Sequence, residues 1–63
     1  MLTMEEREIL LEKRHNYELE ICELNRYLAE MGALLQEAAV TNVENKISHL
    51  RSLVERYTER LEG

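Results

Sequence analysis

The sequence predicts an all-α fold: a two-helix hairpin with a long first helix and a shorter second one, assembling as an intertwined homodimer. Three observations lead there. Apolar residues recur every three or four positions along most of the chain. Two threonines are each followed three residues later by glutamate, a signature of helix starts. The chain has 63 residues and one cysteine, too little for several domains or an intrachain disulfide. Residues 1–63 therefore form a single helical interaction domain.

The first helix is expected to start at Thr3-Met4-Glu5-Glu6. The threonine hydroxyl accepts from a first-turn amide, the glutamate reaches back, and Glu5, Glu6 and Glu8 favour the positive end of the helix dipole. One series of apolar positions is Leu10, Tyr17, Leu24, Met31 and Ala38; the other is Ile21, Leu28 and Leu35, interrupted by Arg14. Tyr27 and Leu34 flank this seam and widen it beyond a strict two-position stripe. A charge at a core position can set register, or its stem can lie on apolar surface while its head reaches water.

Thr41-Asn42-Val43-Glu44 is the second start signal. The stripe that follows is Val43, Ile47, Leu50, Val54, Tyr57 and Leu61, widened by Leu53. From Ala38 to Val43 is a step of five, out of phase with a heptad. The break is accordingly expected near residues 39–41, with helices over 3–38 and 42–61. Gly32 is the other candidate for a break, since glycine costs ~1 kcal/mol inside a helix relative to alanine. The stripe runs on to Leu35, so the helix is expected to pass through Gly32. A short extended segment between residues 32 and 41 is the alternative.

With these bounds the arms are unequal, about 54 Å and about 30 Å long at ~1.5 Å per residue. The shorter arm would leave Ile9, Leu10, Leu11 and Tyr17 without a partner in their own chain. A second copy related by a twofold axis would cover them. The expected dimer core is Leu10, Tyr17, Ile21, Leu24, Leu28, Met31, Leu35, Val43, Ile47, Leu50, Val54, Tyr57 and Leu61. Ile9, Leu11, Arg14, Tyr27 and Leu53 are the candidate surface for a further protein partner.

Charge narrows the function classes. The net charge is −5, with nine acidic and four basic side chains in residues 1–40 and four of each in 41–63. An acidic balance opposes non-specific nucleic-acid binding and adhesion to anionic membranes. No stretch approaches the ~20 apolar residues of a membrane helix. Met1 to Glu12 has no basic start followed by an apolar run, and one thiol suits a reducing compartment, so a cytoplasmic location is expected.

Chemistry-bearing residues are scattered. His15, His49 and Cys22 form no pair at metal-ligand spacing, and no catalytic residue, metal or cofactor is expected. Cys22 lies at the margin of the seam and would crosslink two chains only near a twofold axis. The glutamates read as a solvated face, because paired catalytic carboxylates need a water-poor pocket that two thin helices do not supply. The second helix carries Asn45, Lys46, Ser48, His49, Arg51, Ser52 and Arg56 on a polar face, which makes a nucleic-acid-binding hairpin the alternative function. The acidic first helix opposes that approach.

Three resemblances add to this reading. Leu50-Arg51-Ser52-Leu53-Val54-Glu55-Arg56-Tyr57 resembles the end of the small sporulation aspartyl-phosphate phosphatases. Their Ser-Gln-Glu-Leu-Asp signature aligns here with Ile47, Ser48, His49, Leu50 and Arg51. Arginine stands where the acidic residue would act, so no phosphatase activity is carried over. The size and architecture are similar to those of the plasmid copy-number RNA-binding hairpin dimers. From Met1-Leu2-Thr3-Met4-Glu5-Glu6-Arg7 through Glu59-Arg60-Leu61-Glu62-Gly63, the chain as a whole resembles the small early proteins of lambdoid phages. That resemblance implies a dimeric, early-expressed factor that promotes lytic development by binding a host or phage protein. It carries over no catalytic residue, and it allows a short strand between Gly32 and Thr41.

Overall fold

A computed structural model describes residues 1–63. Two helices, α1 over Met4–Met31 and α2 over Glu37–Glu62, fold back on each other. A single 3-10 turn over Gly32–Leu34 joins them, and there is no strand. The all-helical hairpin follows the sequence expectation; its proportions do not.

The start of α1 is the capping box read from the sequence. Thr3 Oγ1 accepts from the Glu6 amide at 3.1 Å, and the Thr3 amide donates to Glu6 Oε1 at 3.3 Å. The second box is not used. Thr41 and Glu44 lie inside α2, which begins five residues before the expected start and is capped by Gln36 without a side-chain hydrogen bond. Ala38 and Ala39, strong helix formers, carry the helix back past Thr41. Thr3→Ala is therefore expected to destabilise the protein by about 1 kcal/mol. Thr41→Ala removes no cap and places a better helix former in an interior position. It is expected to be neutral or stabilising by up to ~0.5 kcal/mol. Urea melts followed by circular dichroism check both.

The helix break lies at Gly32, not at residues 39–41, and α1 ends at Met31 rather than running to residue 38. Gly32 keeps ordinary right-handed dihedrals, φ −54° and ψ −39°. Its contribution is a weak helical preference, not an unusual backbone. The reversal is made by two extended residues, Leu35 at φ −90°, ψ 150° and Gln36 at φ −69°, ψ 151°. They are the whole of the extended segment, and Leu35, expected on the helical stripe, sits half-buried in the linker. The step of five at Ala38 also has a simple origin. Ala38 is exposed; Ala39 and Val40 are the half-buried residues that precede Val43, at steps of four and three. The stripe on α2 is continuous.

The arms are consequently matched, 28 and 26 residues or about 42 Å and about 39 Å long. This overturns the expectation that the first third of the first helix is stranded. Leu10 is 6% exposed, buried with Leu61 where the two helix ends meet. Arg7 Nη1 donates to the Leu61 carbonyl at 3.4 Å. The Tyr17 and Tyr57 rings stack with centroids 5.7 Å apart and planes inclined by 12°. A turn at residues 32–36 buries apolar surface that a turn at 39–41 would leave in water, and tertiary burial outweighs a local cap in placing helix ends.

The hairpin is long and thin, 47 × 15 × 11 Å, with a radius of gyration of 14.6 Å. A globular chain of this length has about 11 Å. Only Leu10, Ile47, Leu50 and Leu61 are buried. Tyr17, Ile21, Leu24, Leu28, Val43, Val54 and Tyr57 hold their seam positions but remain half-exposed, and Met31 is exposed rather than part of the core.

Candidate interaction surface

Apolar surface is distributed unevenly around the hairpin. A helix turns roughly 100° per residue, so residues on either side of the α1 seam emerge on opposite broad faces of the hairpin. Two cross-helix contacts fix which sides adjoin. Lys46 Nζ lies 3.4 Å from Glu20 Oε1, and Arg14 Nη1 donates to Thr58 Oγ1 at 3.2 Å.

On the Glu20–Lys46 face α1 places Ile9, Tyr17, Leu24, Tyr27 and Met31, and α2 adds Leu53 and Tyr57. Ile9 is 53% exposed and Tyr27 41%. On the Arg14–Thr58 face the apolar residues are Met4, Leu11, Ile21, Val40 and Val54, of which Met4 at 78% and Leu11 at 41% are strongly exposed. The five residues expected to form one partner surface are thus divided. Ile9, Tyr27 and Leu53 share one face; Leu11 and Arg14 belong to the other. Spacing alone could not make that assignment, because it depends on how α2 lies against α1.

Arg14 has a local partner. Its Nε is 3.7 Å from Glu18 Oε1, one turn on, and its head reaches Thr58 while the side chain stays partly buried. This matches a stem laid along apolar surface with its head in a polar position.

The Tyr17–Tyr57 stack was legible only as two seam positions. Tyr17's pKa is raised above the ordinary tyrosine value by the adjoining Tyr57 hydroxyl, first as hydrogen-bonding partner and then as charge. Desolvation and the Glu20 carboxylate add to the rise.

Charges are segregated on the Glu20–Lys46 face. Its α1 side carries Glu5, Glu6, Glu20 and Glu23 with one Lys13, while its α2 side carries Lys46, His49, Arg56 and Arg60. The acidic residues of α2 all emerge on the far side of that helix.

His15, His49 and Cys22 are exposed and separate, and no three His, Cys, Asp or Glu residues converge to hold a metal ion. Two open clefts exist. One, about 320 Å³, lies between the N-terminal residues with Arg7 and the segment Arg60–Gly63. The other, about 280 Å³, lies beside Cys22, Glu23 and Arg26. No helix is long and apolar enough to cross a membrane.

Comparison with models of protein families, with curated proteins and with solved structures finds no match for this chain.

Proposed function

We propose that this chain is a non-enzymatic, homodimeric helical regulator that acts by binding another protein. In line with the resemblance to the small early proteins of lambdoid phages, its setting is the host cytoplasm, its partner a host or phage protein, and its effect the promotion of lytic development.

The observation that carries this reading is the seam left half in water. The chain exposes 5200 Å². A compact monomer of 7.5 kDa exposes about 4,250 Å². A hairpin this thin covers little of itself, and Tyr17, Ile21, Leu24, Leu28, Val43, Val54 and Tyr57 stay half-exposed along its seam; apolar surface of this kind marks an association site. The core of a chain this size rarely supplies more than roughly 3–5 kcal/mol, so a second copy adds stability that the hairpin lacks alone. The arms are nearly equal in length, so no part of α1 is left without α2 beside it. What calls for a second copy is the width of the apolar stripe, whose flanks one partner helix leaves half-exposed.

Sedimentation equilibrium of the full chain tests the dimer. A dimer at micromolar concentration is expected, with a melting temperature that rises with protein concentration. A folded monomer with a concentration-independent melt would overturn the reading. Affinity capture from the host, read by mass spectrometry, tests the partner class. Salt-sensitive DNA or RNA binding that is lost in Arg51→Ala and Arg56→Ala would instead support the nucleic-acid hairpin.

A further inference from the structure

We propose that the face carrying Ile9, Tyr17, Leu24, Tyr27 and Leu53 is covered by the same face of a second copy. The twofold axis runs parallel to the helices, so that α1 of each copy lies against α2 of the other and both linkers lie at one end. This assignment of face and symmetry rests on the dimeric reading above.

Area supports it first. The broad face of the hairpin measures 47 × 15 Å, which offers roughly 700 Å² in projection, close to the ~800 Å² per partner of a standard interface. The opposite face has two strongly exposed apolar side chains, Met4 and Leu11, both in the first third of α1, whereas Ile9, Tyr27 and Met31 spread along the whole of that helix; it is the poorer candidate.

Charge then chooses the symmetry. Two hairpins stacked on this face can be related by a twofold axis along the helices or across them. An axis across the helices sets α1 on α1 and α2 on α2. The acidic flank of α1 would then lie against the same flank of its copy running the other way, and the basic flank of α2 against its own copy. An axis along the helices sets the acidic flank of α1 against the basic flank of α2 at both edges of the interface. Either axis makes every neighbouring pair of helices antiparallel, as in an up-down four-helix bundle, so the flank charges alone separate the two. Like charges opposed across an interface disfavour the wrong arrangement, and opposite charges fix the register. The exposed thiol of Cys22 emerges on the opposite side of α1 from Tyr27, outside this interface.

Tyr27 and Leu11 are equally exposed, 41% each, which makes them a matched pair for the test. Tyr27→Lys removes the ring and sets a cation from each copy against the basic flank of the other copy's α2, and is expected to weaken association by roughly 100-fold in sedimentation. Leu11→Lys is expected to leave association unchanged. A dimer broken by Leu11→Lys and not by Tyr27→Lys overturns the face; a wild-type chain that is monomeric overturns the dimer itself, so the two failures are distinguishable. A second measurement does not depend on a disruptive variant. Nitroxide labels at Leu34→Cys in a Cys22→Ser background report the distance between linkers by pulsed electron resonance. Labels within about 30 Å are expected, because neighbouring helix axes are ~10 Å apart. A separation near the 47 Å length of the hairpin places the linkers at opposite ends and overturns the symmetry.

Discussion

Leu50→Ala is expected to remove most of the helical circular-dichroism signal at 25 °C and micromolar protein. Leu50 is 5% exposed, in the middle of α2, and belongs to a core of four residues. Truncating a buried leucine costs about 2–5 kcal/mol, the lost transfer free energy plus the cavity left behind. The whole core of a chain this small supplies roughly 3–5 kcal/mol, so one substitution is comparable with the total. Leu34→Ala is the control. Leu34 is 78% exposed in the linker turn, and its truncation is expected to change stability by less than ~0.5 kcal/mol. Urea melts at one fixed protein concentration measure both, since association adds to apparent stability. A Leu50→Ala melt that overlays the wild type would remove Leu50 from the core.

Loss of the tyrosine stack has the next largest expected effect. Tyr57→Ala removes a half-buried ring and its offset partner contact with Tyr17, and is expected to destabilise by about 2 kcal/mol. The stack also links stability to pH. Tyr17 has a pKa raised in the fold, chiefly by the Tyr57 hydroxyl and lastly by Glu20, so the folded chain holds its phenolic proton more tightly than the unfolded chain does. For a raised pKa, the stabilising contribution is complete below the unfolded value of 10.0 and is lost as pH rises through the folded value. Melting temperature is therefore expected to fall above pH 10. Tyr57→Phe keeps the ring but removes the hydroxyl that raises Tyr17, so its alkaline decline is expected to be shallower than that of the wild type. Equal declines in the two proteins would place the pH dependence elsewhere.

The two threonine boxes show how far local sequence signals reach. Both Thr3-Met4-Glu5-Glu6 and Thr41-Asn42-Val43-Glu44 have the spacing of a helix start, yet only the first forms the reciprocal hydrogen bonds. A cap contributes about 1 kcal/mol. Shifting the reversal to residues 32–36 buries Leu10 with Leu61 and stacks Tyr17 on Tyr57, and each buried aliphatic side chain contributes about 1.5–3 kcal/mol. Burial outweighs the cap, so the second box is overrun by helix. Gly32 stood out in the sequence as a weak point, but its local preference could not show that the chain would turn there. That depended on the arms matching in length once folded.

Helical class, the α1 start and the composition of the apolar stripe were legible from residue spacing alone, because periodicity and capping act within a few residues of chain. Tyr17, Ile21, Leu24, Leu28, Ile47, Leu50, Val54, Tyr57 and Leu61 lie on the seam where spacing put them. Where the chain reverses, and which exposed apolar residues share a face, was decided only by the tertiary structure. Ile9, Tyr27 and Leu53 lie on one side and Leu11 and Arg14 on the other because α2 rests on α1 with Lys46 beside Glu20 and Thr58 beside Arg14. Side chains far apart in sequence share a surface only through the azimuth at which two helices pack, and that angle is set by contacts between the helices, not by the spacing within either one.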